Sequence, residues 1–186
     1  MDQEVRTIRY FGLPVIITRS SLVASGALVV VIAIIASLIT TMTPLDALIV
    51  GLLATLIHWV SEISHQYGHH LAARRIGKPA QSVRLWWFLS RTVYPRDEGR
   101  LSALQHMQRA LGGPLMSALI GLACGLLMTW WWSLGGVLRF LITFAAIENM
   151  VIFGLGAFVP LTIGDTFRTD GATILQYYKQ QKKDAQ

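Results

Sequence analysis

Two histidines four residues apart, His65 and His69, have the spacing that most clearly indicates chemistry in this chain. In the pattern H-E-x-x-H, two histidines on one helix face bind zinc, and the intervening Glu takes a proton from water at the metal. Here Gln66 stands at the position of that Glu. A Gln side chain can hydrogen-bond water but cannot accept its proton. The sequence therefore predicts a zinc site at which hydrolysis is disabled.

Further ionisable residues lie on the same face of the predicted helix. His58, Glu62, His65 and His69 follow one another at spacings of four, three and four residues, which places them in line on one helix face. Ionisable groups in an apolar segment normally face the protein interior or a water-filled cavity. Glu62 could hydrogen-bond a zinc ligand and so orient it, or it could be a buried acid paired with a cation. His58 is expected to be a hydrogen-bonded structural residue.

The elements that must position these residues are apolar. Of the 186 residues, 53% are hydrophobic and 14% charged, and the mean hydropathy of +0.51 is too high for a soluble domain. Segments at approximately 21–41, 45–74, 111–132 and 137–160 can each cross a hydrocarbon core of about 30 Å as a helix. The sequence predicts a single membrane-embedded domain over residues 1–186. Its fold class is all-α and multi-pass, with about four transmembrane helices and room for a small β or re-entrant element after the second.

Basic residues are concentrated on one side of the predicted spans. Residues 74–109 contain eight Lys and Arg residues, whereas residues 40–46 and 132–137 contain none. Basic loops stay on the cytoplasmic side, so both termini and the zinc site are predicted to face the cytoplasm. This sidedness accounts for the net charge of +6. The expected partner is therefore a lipid bilayer and not a nucleic acid.

Two histidines do not complete a catalytic zinc site, which usually has three protein ligands and one position open to water. The only cysteine, Cys124, lies inside the third span, and His106 lies beside the basic loop. The third ligand is therefore expected to be a carboxylate.

Several separate segments of the chain resemble the site-2 protease-type intramembrane zinc metalloproteases. These segments are residues 8–15 (IRYFGLPV), 65–69 (HQYGH), 111–114 (LGGP) and 169–175 (TDGATIL). The last resembles the Asp-Gly segment whose Asp is the third zinc ligand in that family. The resemblance implies Zn²⁺ as the cofactor and His65, His69 and Asp170 as its ligands. Asp165, closer to Pro160, is the alternative third ligand.

The resemblance also implies what the chain does. It implies a zinc metalloendopeptidase that hydrolyses peptide bonds of membrane-embedded substrates, and Gln66 implies that this copy is disabled, by either a natural or an engineered change. The sequence also departs from the family at Ser117 and Ala157, where Asn is common, and Asn149 is the alternative polar group. Two alternatives stay open: a noncatalytic pseudoprotease that binds transmembrane segments, and a metal transporter.

The stretch after the zinc-binding helix, residues 85–89 (LWWFL), is expected in or on the cytoplasmic leaflet. In the family the corresponding stretch forms an edge or re-entrant element near the substrate path. The resemblance therefore implies that an extended peptide pairs with it.

Overall fold

Four long apolar helices dominate the computed structural model, which describes residues 2–130, 133, 135–163 and 167–184. The first three are α1 (Arg19–Ile39), α2 (Pro44–Arg75) and α3 (Ala103–Trp130). The fourth consists of α4 (Gly136–Ile147), a π-helical segment (Glu148–Leu155) and a 3₁₀ turn (Gly156–Phe158). All four are long and apolar enough to cross a membrane. A polar fifth helix, α5 (Asp170–Asp184), follows.

Local sequence signals account for the starts of α1 and α2. The Thr18 side chain accepts a hydrogen bond from the amide of Ser21 and begins α1 with a capping box. Thr43 caps α2, with Pro44 in the first turn. With 32 residues, α2 is about 48 Å long, which exceeds a hydrocarbon core of about 30 Å. One end of α2 can therefore extend beyond a membrane.

A four-stranded sheet covers one side of α2. Its strands, in spatial order, are β1 (Glu4–Tyr10), β2 (Leu13–Thr18), β3 (Ser82–Trp86) and β4 (Leu89–Val93). The pairs β1–β2 and β3–β4 are antiparallel, and β2–β3 is parallel. Buried Val15 and Val83 pack with Ile63 of α2. Strand β4 is a sheet edge and lies against α2.

The all-α prediction is therefore only partly met. A β element was expected after the second helix, where β3 and β4 occur, but the N-terminal hairpin was not. Alternating burial along β2 and positive φ angles at Phe11 (45°) and Gly12 (85°) account for this hairpin. A small pair, β5 (Thr162–Ile163) and β6 (Phe167–Arg168), forms a second sheet.

The helices begin and end close to the predicted spans, with one clear difference. Helix α3 begins at Ala103 instead of near residue 111, because a polar turn containing His106 and Arg109 precedes the apolar segment. Residues 131 and 132, at the predicted end of that span, lie outside the described residues.

Helices α2 and α3 cross with their backbones in contact. A Cβ added at Gly68 would overlap the carbonyl oxygen of Gly112, and a Cβ at Gly112 would overlap that of Gly68. Glycine at both positions permits this approach. The crossing brings the start of α3 beside the histidines of α2.

Candidate metal centre

Three side chains from two distant parts of the chain converge. His65 and His69 lie one turn apart on α2, and Asp170 is the first residue of α5. The His65 Nε2–His69 Nε2 distance is 3.2 Å, His65 Nε2–Asp170 Oδ2 is 3.3 Å and His69 Nε2–Asp170 Oδ1 is 3.4 Å. Ligand atoms about 2.0–2.1 Å from a tetrahedral zinc ion are about 3.3 Å apart. These three residues, called the triad below, therefore have a donor set and spacing that fit zinc.

The outer nitrogens of both histidines have hydrogen-bond partners on α3. His65 Nδ1 lies 3.0 Å from Ser117 Oγ, and His69 Nδ1 lies 2.8 Å from the carbonyl oxygen of Arg109. The amide of Gly113 also lies 3.2 Å from His69 Nδ1. Because a carbonyl only accepts, the closer contact indicates a proton on His69 Nδ1 and leaves Nε2 free to bind a metal.

Two glycines make room for the triad. A Cβ added at Gly113 would overlap Nε2 of both His65 and His69, and a Cβ added at Gly171 would overlap the carbonyl of Phe158. The first glycine lets α3 pass directly beside the imidazoles. The second lets the start of α5 reach them.

Hydrogen bonds and charge also fix Asp170. The hydroxyl of Thr169 donates to the carbonyl of Val159 (2.7 Å) and accepts from the amide of Ala172 (3.3 Å), so the residue before Asp170 caps α5 and ties it to the fourth span. Burial alone would raise the pKa of Asp170, but His69 and His65 lower it to about 2. Asp170 is therefore an ionised carboxylate at neutral pH.

A cation–π contact supports the α3 segment that orients His69. The Arg109 guanidinium carbon lies 3.4 Å from the centre of the Tyr94 ring, and Arg109 Nη1 donates to both carboxylate oxygens of Glu98 (3.0 and 2.9 Å). Burial raises the pKa of Tyr94 to about 12, so its hydroxyl stays protonated. These contacts hold the backbone whose carbonyl faces His69.

The side chain of Gln66 faces strand β4. Its Nε2 donates to the backbone carbonyl of Ser90 (3.1 Å), and its Oε1 accepts from the hydroxyl of Thr92 (2.7 Å). Glu62, one turn earlier, accepts from the hydroxyl of Ser90 (2.5 Å). Both side chains therefore connect α2 to the edge of the sheet.

A cavity of about 420 Å³ opens beside the triad. Gln66 and Glu62 line it together with β4, the start of α3 and the start of α5. A side chain or an extended peptide segment could therefore lie between the edge of the sheet and the triad.

The remaining predicted site residues lie apart from the triad or outside the described part of the chain. Asn149 is fully buried, donates to Ser61 Oγ (2.8 Å) and the Ala145 carbonyl (2.9 Å), and is absent from the cavity wall. Asp165 lies outside the described residues. Sequence reasoning noted Ser117 only as a departure and did not anticipate its contact with His65. Its position four residues after Gly113 was the available signal.

Comparison with known proteins identifies a shared fold. The structure is similar to that of the site-2 protease from Methanocaldococcus jannaschii, with a TM-score of 0.62. The sequences are 16% identical, and the match covers 97% of this chain and 73% of the other. No protein-family profile and no curated protein sequence matches the chain. The likeness therefore rests on fold.

Proposed function

We propose that this chain is the core of a site-2 protease-type intramembrane zinc metalloprotease, disabled for hydrolysis by Gln66. The observation that carries the proposal is the convergence of His65, His69 and Asp170 at distances that fit zinc. The four apolar helices and the fold likeness support it.

Each residue of the site has a role in this proposal. His65, His69 and Asp170 would hold a zinc ion, which when bound acts as a Lewis acid toward water and a peptide carbonyl. Gln66 lines the same cavity and can hydrogen-bond a water molecule, but it cannot take the water's proton or pass one to a leaving amine. Loss of such proton transfer costs about 10²- to 10⁴-fold in rate.

The site would lie near the cytoplasmic boundary of the membrane. His65 is the twenty-second residue of α2, so it lies about 32 Å from the start of that helix, and the hydrocarbon core is about 30 Å thick. With the basic loops in the cytoplasm, the triad has access to water on that side. The substrate class is a membrane-embedded or membrane-proximal peptide, whose extended segment would lie along β4.

The test compares the purified chain with its Gln66→Glu variant. Zinc content is measured by elemental analysis, and cleavage is measured on a panel of transmembrane peptides in one detergent. Both forms should bind zinc, and only Gln66→Glu should cut. The matched control, Gln66→Glu combined with Asp170→Ala, should lose both zinc and cleavage. Cleavage that persists in this control would overturn the proposed role of the triad.

A noncatalytic pseudoprotease that binds transmembrane segments is the second candidate. The observation that favours it is the pair of hydrogen bonds from Gln66 to Ser90 and Thr92, because both ends of the amide have suitable partners. Under this alternative, photocrosslinking captures transmembrane peptides with either residue at position 66, and neither form cuts the peptides it captures.

A further inference from the structure

Three polar residues of α2 contact β4 and the turn before it in regular order. His58, Glu62 and Gln66 are spaced by four residues, which corresponds to about 6.0 Å along a helix. Their partners are spaced by two residues, which corresponds to about 6.6 Å along a strand. His58 Nε2 lies 2.9 Å from the Phe88 carbonyl oxygen. Glu62 accepts a hydrogen bond from the Ser90 hydroxyl (2.5 Å). Gln66 donates to the Ser90 carbonyl (3.1 Å) and accepts from the Thr92 hydroxyl (2.7 Å). The spacing along the helix and the spacing along the strand are similar. These contacts therefore form a regular series between α2 and the β4 side of the hairpin, called the polar ladder below.

The fourth span holds the His58 end of this ladder. His58 Nδ1 lies 2.6 Å from Glu148 Oε1, and the two residues are 8% and 4% exposed. The Phe88 carbonyl can only accept, so His58 Nε2 must carry a proton, and one further proton is shared between Nδ1 and Glu148. Glu148 begins the π-helical segment. The carboxyl of Glu148 therefore fixes the orientation of the His58 ring.

Other contacts hold the β3 half of the hairpin separately. The Thr18 hydroxyl donates to the Leu85 carbonyl (2.9 Å), and the amide of Trp87 donates to Ser20 Oγ (3.2 Å). These bonds come from the start of α1. Strand β4 is also held by its antiparallel pairing with β3, and the ladder adds direct side-chain contacts between β4 and α2 to this backbone pairing.

The ring of Phe153 contacts both the His58 end of the ladder and the triad. The buried ring of Phe153, from the π-helical segment, lies 5.9 Å from the ring centre of His58 and 5.9 Å from that of His65. A shift of His58 would therefore be transmitted both to the hairpin turn and to packing beside the zinc ligands.

We propose that His58, oriented by Glu148, is a positioning residue. It sets the position of β4 along the axis of α2 and so places the edge of the strand beside the triad. This role goes beyond the proposed reaction, because it holds whether or not the chain hydrolyses peptides. Within that reaction, it would set the register of a bound peptide against the metal.

The test separates the two hydrogen bonds of His58 with a matched pair of substitutions. In His58→Gln the amide nitrogen falls near the position of Nε2, so the bond to Phe88 is kept and that to Glu148 is lost. In His58→Asn the amide nitrogen falls near the position of Nδ1, so the bond to Glu148 is kept and that to Phe88 is lost. Ser61→Ala is the control, because it removes a buried bond from α2 to Asn149 without contacting β4.

The readout is a distance between spin labels in the reconstituted chain. Labels are attached at Ile39→Cys, at the far end of α1, and at Arg91→Cys, on β4, in a Cys124→Ala background; both sites are exposed. Pulsed electron paramagnetic resonance should give the parent distribution for Ser61→Ala. For His58→Gln it should give the parent mean distance with a broader distribution, because the bond to Phe88 remains but Glu148 no longer orients the side chain. For His58→Asn the mean distance itself should shift. An unchanged distribution in His58→Asn would overturn the proposal.

A second pair of variants keeps the test decisive if His58→Asn does not fold. Glu148→Gln keeps a hydrogen bond to His58 and should preserve the parent distance, whereas Glu148→Ala leaves the ring unsupported and should broaden it. Equal distributions for these two variants would also contradict the proposal.

Catalysis provides a further readout that rests on the proposed function. In the Gln66→Glu background, His58→Asn should lower kcat/KM by about 10- to 100-fold at unchanged zinc content, because small misplacements have effects of that size. His58→Gln should stay within about threefold of its parent. If Gln66→Glu cuts no peptide, the proposed function fails, and the spin-label distances still decide the role of His58.

Discussion

Gln66 has two consequences at the scale of a single residue. Its amide nitrogen and oxygen match a carbonyl acceptor and a hydroxyl donor on β4. A Glu at this position could accept from Thr92, but it would present a second carboxylate oxygen to the carbonyl of Ser90. Gln66→Glu therefore supplies a base and also removes a hydrogen bond to the strand.

We expect Gln66→Glu to loosen β4. A hydrogen bond contributes a net of about 0.5–1.5 kcal/mol, so amide exchange in residues 89–93 should be about 2- to 10-fold faster, as measured by hydrogen exchange and mass spectrometry. Gln66→Met, which removes both bonds without adding charge, is the control and should have a similar effect. Unchanged exchange in both variants would show that the Gln66 contacts do not hold the strand.

Ser117→Ala should weaken zinc binding without changing the fold. The variant removes the hydroxyl 3.0 Å from His65 Nδ1, and loss of such a partner typically costs 10- to 100-fold in metal affinity. Competition with a chelator measures the change. Ser37→Ala is the control, because Ser37 donates to the Ala33 carbonyl of its own helix, α1. Equal affinities for the two variants would contradict the assigned role of Ser117.

At the scale of elements, sequence and structure agree best where a signal is local. The apolar runs predicted the helices, and the structure confirms four that are long and apolar enough to span a membrane. The caps at Thr18 and Thr43, which the structure shows, account for where α1 and α2 begin. The contacts of Ser117 and of the Arg109 carbonyl were not predicted, because they depend on how α3 crosses α2. The approach of Asp170 to the histidines is also long-range, and only the family resemblance suggested it.

The crossing of α2 and α3 leads to a test at this scale. Gly113→Ala should abolish zinc binding, because the added Cβ would overlap both imidazoles. Gly125→Ala, in the same helix, is the control: a Cβ there has no neighbour within 4 Å among the described residues. Each substitution favours helix by about 1 kcal/mol, so only packing distinguishes them. Equal zinc content in the two variants would contradict the described crossing.

At the scale of the whole molecule, the chain combines a helical bundle with a sheet that covers part of it. The fold likeness extends over 97% of the chain, so it includes both parts. The basic residues of 74–109 lie around β3, β4 and the start of α3. The sheet and the triad are therefore expected on the same, cytoplasmic side.

Accessibility labelling tests this orientation. In a Cys124→Ala background, Lys182→Cys on α5 should react with a membrane-impermeant maleimide only after cells are permeabilised. Thr41→Cys, in the connection between α1 and α2, should react in intact cells. Both positions are exposed, so burial does not bias the comparison. The reverse pattern would place the triad on the opposite side of the membrane.

The most direct measurement is zinc X-ray absorption spectroscopy on the purified chain. We predict nitrogen and oxygen ligands at about 2.0–2.1 Å, with two imidazoles in the parent and one in His69→Ala, and loss of the bound zinc in Asp170→Ala. Zinc absent from the parent, or a spectrum unchanged by Asp170→Ala, would contradict a metal centre formed by His65, His69 and Asp170.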